Sequence, residues 1–220
     1  KLVNGKTIGD EIQKASKWNQ DIITSKDNPV FKGGSIAVLS GSLAPGCAII
    51  KQSAATSELL VHEGKAVVFE NLEDLANRVD SDDLEVTKDD VLVLKSIGPK
   101  GGPGMPEAGL IPIPKKLARQ GVKDMVRISD GRMSGTASGT IVLHVTPESY
   151  EKGPLAVVKN GDLIKLDVPN RKIDLLISED ELNNRISQIS DNKIKRRGYN
   201  KLYMEEVTQA NEGVDFKFLK

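Results

Sequence analysis

The stretch LAVVKNGDLIKLDVPNRKIDLLI, residues 155–177, is the part of the sequence that decides the fold. Asn160-Gly161 is typical of a hairpin turn, and Pro169-Asn170 marks a second turn. Between and around these turns lie short apolar runs rich in Val, Ile and Leu, which indicate strands. Strands joined by such short turns favour an antiparallel or barrel-like sheet over a purely parallel one. The three predicted strands are 155–159, 163–168 and 172–177.

Upstream of this meander, further short runs of Val, Ile and Leu are bounded by Gly, Asp or Ser, and each of them predicts another strand. With two helices between them, they predict a mixed α and β domain. The five runs are 35–40, 65–70, 90–96, 125–130 and 140–145.

Helix signals lie between and after these runs. Asn71 is a good N-cap for a helix over 72–79, and Ser178 begins a capping-box pattern for another helix. One more helix is predicted through 115–120, with Gly121 as its stop. Either Pro112 or Pro114 can open this helix.

Overall composition excludes several classes of partner. The 220 residues include 31 basic and 31 acidic residues, so the formal net charge is zero, which argues against nucleic acid or an anionic membrane as the main partner. No apolar run approaches the roughly 20 residues of a membrane span, and KLVNGKTIGDE at the start has no apolar signal-peptide core. We therefore expect a cytoplasmic protein.

Cysteine and histidine counts limit metal chemistry. Cys47 is the only cysteine, so an intramolecular disulfide is impossible and this chain cannot hold an iron–sulfur cluster by itself. His62 and His144 are too few for a three-histidine zinc site. Taken alone, Cys47 and His144 are most simply core residues.

Three loops rich in glycine and small polar residues follow predicted strands: 40–46, 98–107 (the glycine loop) and 129–139 (the serine loop). Such loops are where a scaffold usually presents a site. Residues 98–104 can form an anion-binding nest or simply a rigid turn. Glu107 ends the glycine loop as a possible hard-metal ligand or an ordinary surface carboxylate.

The serine loop offers further candidates. Asp130 and Arg132 could pair with each other or bind substrate charge. Ser134 does not lie in a nucleophile elbow, because its spacing to the preceding glycine is wrong, and a serine in such a loop is most often a turn residue.

Taken together, the loops and the meander resemble the dihydroxy-acid and phosphogluconate dehydratase family, in order, from about Val3 to the last residues. The serine loop with the strand after it looks like the branch acting on sugar acids such as pentonates, because the branched-chain amino-acid branch typically reads TDGRFSGG there. The stretches that carry the resemblance are GSLAPGCAIIK, GPKGGPGMPEAGLIPIPKKLARQGVKDMVRISDGRMSGTASGT, HVTPE, GPLAVVKNGDLIKLDV and RRGYNKLYMEEVTQANEGVDFKFL.

The resemblance covers only the C-terminal part of such enzymes and implies a swivelling β-barrel-like domain with flanking helices. It implies that 1–30 is a lead-in from a preceding domain, 31–178 the barrel-like domain, and 179–220 a C-terminal helix and docking tail. The N-terminal domain of family members carries the iron–sulfur cysteines and other magnesium ligands. The resemblance therefore implies that domain as the main partner, and a homodimer or tetramer.

The family reaction removes water from a 2,3-dihydroxy acid to give a 2-keto acid. By motif match, Glu107 is the magnesium ligand of this domain and Ser134 the catalytic base, while Arg132 and Thr136 orient the sugar-acid substrate. Without the cluster-bearing domain, the chain is expected to be inactive. Two alternatives remain: a stand-alone, non-catalytic domain that binds sugar acids or carboxylates, and a dihydroxy-acid dehydratase of branched-chain amino-acid synthesis.

Overall fold

The computed structural model describes residues 1–13, 15–16, 22–190 and 197–219, so parts of the predicted lead-in and tail lie outside the described residues. The chain divides into two units, Lys1–Gly34 and Ser35–Lys220. In the first, Thr7 caps the short helix α1 (Ile8–Ile12) through a reciprocal capping box with Asp10.

The second unit is built on one eight-stranded sheet with the order β1-β2-β6-β5-β4-β3-β7-β8. Its middle pairs, from β6 to β3, are parallel, and the pairs on either side are antiparallel. The strands are β1 (Ala37–Leu39), β2 (Cys47–Ile50), β3 (Val61–Phe69), β4 (Val91–Leu94), β5 (Arg127–Ser129), β6 (Ile141–Thr146), β7 (Leu163–Asp167) and β8 (Lys172–Leu175).

The two edges of this sheet meet. Ser40, directly after β1, forms a parallel bridge with Lys172 at the start of β8. The Ser40 N–H donates to the Arg171 carbonyl at 3.0 Å, and the Ile173 N–H donates to the Ser40 carbonyl at 3.2 Å. This bridge makes the sheet a nearly closed barrel and removes the exposed edges that an open sheet would present. The predicted mixed α and β, barrel-like fold is confirmed.

Alternation along the strands separates two hydrophobic cores. On β4, Val91 and Val93 point into the barrel, whereas Leu92 and Leu94 point outward. The outer core is covered by α2 (Leu72–Arg78) and α3 (Lys115–Arg119). β4 is therefore apolar on both faces, which explains its continuous hydrophobic run.

The helix predictions agree closely with the structure. Asn71 caps α2 by accepting a hydrogen bond from the Asp74 N–H at 2.9 Å. Pro114, rather than Pro112, is the N-cap of α3, and Gly121 follows that helix with a φ of 90°. Ser178 caps α4 (Glu179–Ser187), and a further helix, α5 (Gly198–Glu206), follows. Among the described residues, none of the helices has the length and apolar character needed to cross a membrane.

One strand prediction was wrong and one strand was missed. The predicted strand 155–159 is instead a 3₁₀ helix, Pro154–Val157, because Pro154 favours a helical start and its neighbours bury their side chains without pairing. The Asn160-Gly161 turn therefore joins no hairpin; its atoms bond to β3, where Gly161 N–H donates to Ala66 O at 2.8 Å. The missed strand is β2, which has only four residues after a glycine-rich loop.

Candidate functional site

The glycine loop and the serine loop follow neighbouring parallel strands, β4 and β5, so both leave the same edge of the sheet. There, Arg132 Nη1 lies 2.8 Å from Glu107 Oε1. Arg132 Nε also donates to the Met105 carbonyl at 2.6 Å, which ties the guanidinium to the backbone of the glycine loop. Both side chains of the ion pair are about half exposed, so this pair faces solvent and can meet a ligand.

Ser134 and Thr136 form the second pair of predicted residues. Their hydroxyl oxygens lie 3.0 Å apart, and the Thr136 N–H also donates to Ser134 Oγ at 3.4 Å. The structure thus brings the four predicted residues together as two pairs, Glu107 with Arg132 and Ser134 with Thr136.

Lys51 lies beside these candidate residues, although the sequence analysis did not single it out. It follows β2, and its Nζ donates to the Gly135 carbonyl at 2.6 Å. This contact brings a positive charge to the residue next to Ser134. Lys51 ends the GCAIIK stretch that contributed to the family resemblance, but its partner lies 84 positions away. Only the pairing of β2 with β6 shows that they meet.

Of the two alternatives for Asp130 and Arg132, the structure does not show the pairing of these residues with each other. Asp130 is fully buried and accepts hydrogen bonds from the Ile97 N–H at 3.0 Å and from the N–H and hydroxyl of Ser149. Burial raises the pKa of Asp130, and the hydrogen bonds from Ser149 and Ile97 oppose this shift. Asp130 therefore links the starts of the two loops internally, while Arg132 turns outward to Glu107.

Of the two alternatives for 98–104, a nest or a rigid turn, the structure shows backbone amides that bind a carboxylate supplied by the chain itself. Glu148 is fully buried, and its carboxylate accepts hydrogen bonds from the Lys100 N–H at 3.0 Å and the Gly101 N–H at 2.8 Å. Burial raises the pKa of Glu148, and the bonds from Gly101 and Gln209 oppose this shift. The loop is thus held by a side chain rather than left free for an external anion.

His144 and Cys47 were expected to be structural. His144 is partly buried with a φ of 54°, and its Nδ1 is buried without a hydrogen-bond partner among the described residues. Burial, followed by the charge of Arg132, lowers the pKa of His144, so its imidazole is neutral at pH 7. Cys47 is partly buried, with its sulfur 3.7 Å from Thr146 Oγ1.

A groove of about 970 Å³ lies elsewhere, against β3 and the turn at Asn160-Gly161. Its lining mixes both signs of charge, including Glu63, Lys65 and Arg78, and contains none of the four predicted residues. Size alone therefore does not locate the site, and the chemistry of the two loops is the better guide.

The family comparison agrees with the loop chemistry. Residues 21–214 match the model of the dihydroxy-acid/6-phosphogluconate dehydratase C-terminal domain. The chain belongs to this dehydratase family. It is 47% identical over 99% of its length to an L-arabinonate dehydratase of Rhizobium leguminosarum bv. trifolii, and covers 38% of that protein.

Two further relatives in the dehydratase family are named for different substrates. The chain is 48% identical over 92% of its length to a 6-deoxy-6-sulfo-D-gluconate dehydratase of Pseudomonas putida, covering 36% of it. It is 44% identical over 97% of its length to a dihydroxy-acid dehydratase of Carboxydothermus hydrogenoformans, covering 38% of it. The chain therefore spans less than two fifths of the length of these dehydratases.

The residues fit the magnesium and iron–sulfur cofactors that the resemblance implies only in part. Glu107 offers a solvent-facing carboxylate, the type of ligand that magnesium prefers. Within the described ranges, however, no group of three or more His, Cys, Asp or Glu side chains could hold a metal ion. Cys47 alone does not fit an iron–sulfur cluster.

Proposed function

We propose that this chain is the C-terminal domain of a hydro-lyase that dehydrates a 2,3-dihydroxy sugar acid to a 2-keto-3-deoxy acid. The observation that carries the proposal is the placement of Glu107, Arg132, Ser134 and Thr136 on two adjacent loops of a dehydratase-family barrel. Two of the relatives described above are named for sugar acids, which favours that substrate class over branched-chain dihydroxy acids.

Ser134 is proposed as the base of this reaction. Its Oγ would take the proton from C2, the C2 electrons would form a double bond to C3 as hydroxide leaves, and the resulting enol would tautomerise to the ketone. A serine alkoxide is unfavourable in water and needs nearby positive charge. The Lys51 ammonium, hydrogen-bonded to the adjacent Gly135 carbonyl, is one source of that charge.

Glu107 is proposed as the one magnesium ligand from this domain. Bound Mg²⁺ would stabilise negative charge on the substrate carboxylate and the C2 oxygen. Arg132, whose Nη1 lies 2.8 Å from Glu107, and Thr136, whose hydroxyl lies 3.0 Å from that of Ser134, are proposed to orient the substrate. No residue of this chain is assigned to the iron–sulfur cluster, whose ligands would lie outside it.

The site would then be completed by a cluster-bearing N-terminal domain of the same protein, without which we expect the chain to be inactive. We also propose a cytoplasmic enzyme that forms a homodimer or tetramer.

Ser134→Ala in the intact enzyme tests the assignment. We expect turnover of a pentonate such as L-arabinonate to fall by roughly 10³-fold or more, with an unchanged circular dichroism spectrum. Ser138→Ala, an exposed serine in the same loop, is the matched control and should retain full activity. Near-normal turnover by Ser134→Ala would show that Ser134 is not the base.

The alternatives give different results in the same assay. Faster turnover of a branched-chain 2,3-dihydroxy acid than of the pentonate would favour a dihydroxy-acid dehydratase. Binding of the sugar acid without turnover of any dihydroxy acid would favour the non-catalytic binding domain.

A further inference from the structure

Glu148 is a buried acidic residue that the proposed mechanism does not use. Besides the Lys100 and Gly101 amides, its carboxylate accepts a hydrogen bond from Gln209 Nε2 at 2.6 Å. The Glu148 N–H in turn donates to Gln209 Oε1 at 2.9 Å. One side chain therefore joins the glycine loop to the segment that follows α5, over separations of 48 and 61 positions.

The glycine loop is shaped around this carboxylate. A Cβ on Gly98 would lie 2.7 Å from Glu148 Oε2 and 2.8 Å from Glu148 Cβ, so a larger residue does not fit there. Two consecutive backbone N–H groups, those of Lys100 and Gly101, converge on one carboxylate, which is the arrangement of an anion-binding nest. A buried carboxylate is costly unless it is hydrogen-bonded, and here the loop supplies those bonds.

The same region reaches both site loops. Asp130, the second residue of the serine loop, accepts a hydrogen bond from the Ile97 N–H just before the glycine loop. Ser149, next to Glu148, donates to Asp130 and accepts from the Ser96 N–H at 2.8 Å. The chain is therefore held just before the glycine loop, at Ser96 and Ile97, and within the loop at Lys100 and Gly101, a few residues before Glu107.

We propose that Glu148 is a positioning residue of the dehydratase: its buried carboxylate holds the glycine loop in the conformation that presents Glu107 to the metal, and Gln209 fastens the C-terminal segment to the same carboxylate. This inference rests on the proposed function, because Glu107 binds a metal only if the chain belongs to the proposed dehydratase. Groups that orient a metal ligand from behind commonly change metal affinity when they are removed.

Glu148→Gln in the intact enzyme tests this role. The substitution keeps the size of the side chain but replaces one acceptor oxygen with an NH₂ group that faces the Lys100 and Gly101 donors. We expect faster hydrogen–deuterium exchange in a peptide covering 98–107. We also expect a roughly tenfold or larger rise in the Mg²⁺ concentration for half-maximal activity, with kcat at saturating Mg²⁺ within a few fold of wild type.

Glu151→Gln is the matched control. Glu151 also contacts Lys100, but through the lysine Nζ at 2.8 Å rather than the backbone, so its loss should change neither readout. A merely structural role for Glu148 would lower the unfolding midpoint without moving the Mg²⁺ dependence of the folded enzyme. The proposal would be overturned if Glu148→Gln had the same hydrogen–deuterium exchange at 98–107 and the same Mg²⁺ dependence as the wild type.

Should Glu148→Gln fail to fold, Gln209→Ala provides the second variant, because it leaves the carboxylate and the loop amides in place. It should shift both readouts in the same direction by a smaller factor, and no shift in either would overturn the proposal. If the wild-type enzyme dehydrates no dihydroxy acid, the proposed function fails. Exchange at 98–107 then decides by itself whether Glu148 holds the loop.

Discussion

At the scale of single residues, Asp124 shows how a buried charge stabilises the strands on either side of the serine loop. Its carboxylate accepts hydrogen bonds from Thr56 Oγ1 and Thr140 Oγ1, both at 2.7 Å, and pairs with Arg127 at 2.7 Å. Both side chains of the ion pair are nearly buried. These contacts join the start of β5 to the start of β6, the strands at the two ends of the serine loop.

Asp124→Asn should therefore destabilise the fold by about 3–5 kcal/mol at pH 7, because it leaves Arg127 buried without its counter-charge. Although burial raises the pKa of Asp124, the bonds from Thr56 and Thr140 and the charge of Arg127 lower it overall. The stabilisation is then present above the ordinary carboxyl pKa and is lost as the pH falls through the lowered one.

Urea unfolding from pH 7 to pH 3 measures this difference. The gap in unfolding free energy between wild type and Asp124→Asn should narrow as the pH falls below about 4. Asp83→Asn, on an exposed carboxylate, should show no such gap. A constant gap across the range would contradict the assignment.

At the scale of elements, Arg185 ties α4 to the barrel, where Leu182 of the same helix also packs against the core. Arg185 Nη1 lies 2.5 Å from Asp162 Oδ2, in a pair that is largely buried, and also donates to the Val157 carbonyl at 3.2 Å. Arg185→Ala should therefore cost about 3 kcal/mol of unfolding free energy, because Asp162 is left unpaired.

Chemical denaturation of the variants Arg185→Ala and Glu181→Gln compares how much each of the two ion pairs of Arg185 contributes to the unfolding free energy. Glu181 contacts Arg185 one helical turn earlier, but its side chain is 42% exposed, so its loss should cost less than about 1 kcal/mol. Equal losses for the two variants would show that the buried pair does not anchor α4.

At the scale of the whole molecule, the candidate metal site is incomplete. Within the part of the chain that the structure describes, Glu107 has no further carboxylate, histidine or thiolate grouped with it to complete a site. Isothermal titration of the 220-residue chain with Mg²⁺ should therefore show binding no tighter than roughly 1 mM, indistinguishable from Glu107→Gln. Micromolar binding that depends on Glu107 would instead indicate a self-sufficient metal site.

The sequence by itself determined most of the secondary structure and the identity of the candidate site residues. Short apolar runs between turn residues predict seven of the eight strands because apolar β-branched residues favour buried strands, and Asn71 and Ser178 mark helix starts because their side chains cap nearby amides. The motifs predict Glu107 and Ser134 as site residues, and their catalytic roles remain predictions.

Only the tertiary structure decided which distant residues meet. The Ser40–Lys172 bridge closes the barrel, Lys51 reaches Gly135, and Glu148 fills the nest of the glycine loop. Each of these contacts joins positions 47 or more residues apart, where local spacing carries no information. The nest in particular could be predicted from its glycines, but the anion that occupies it is placed by the pairing of the strands.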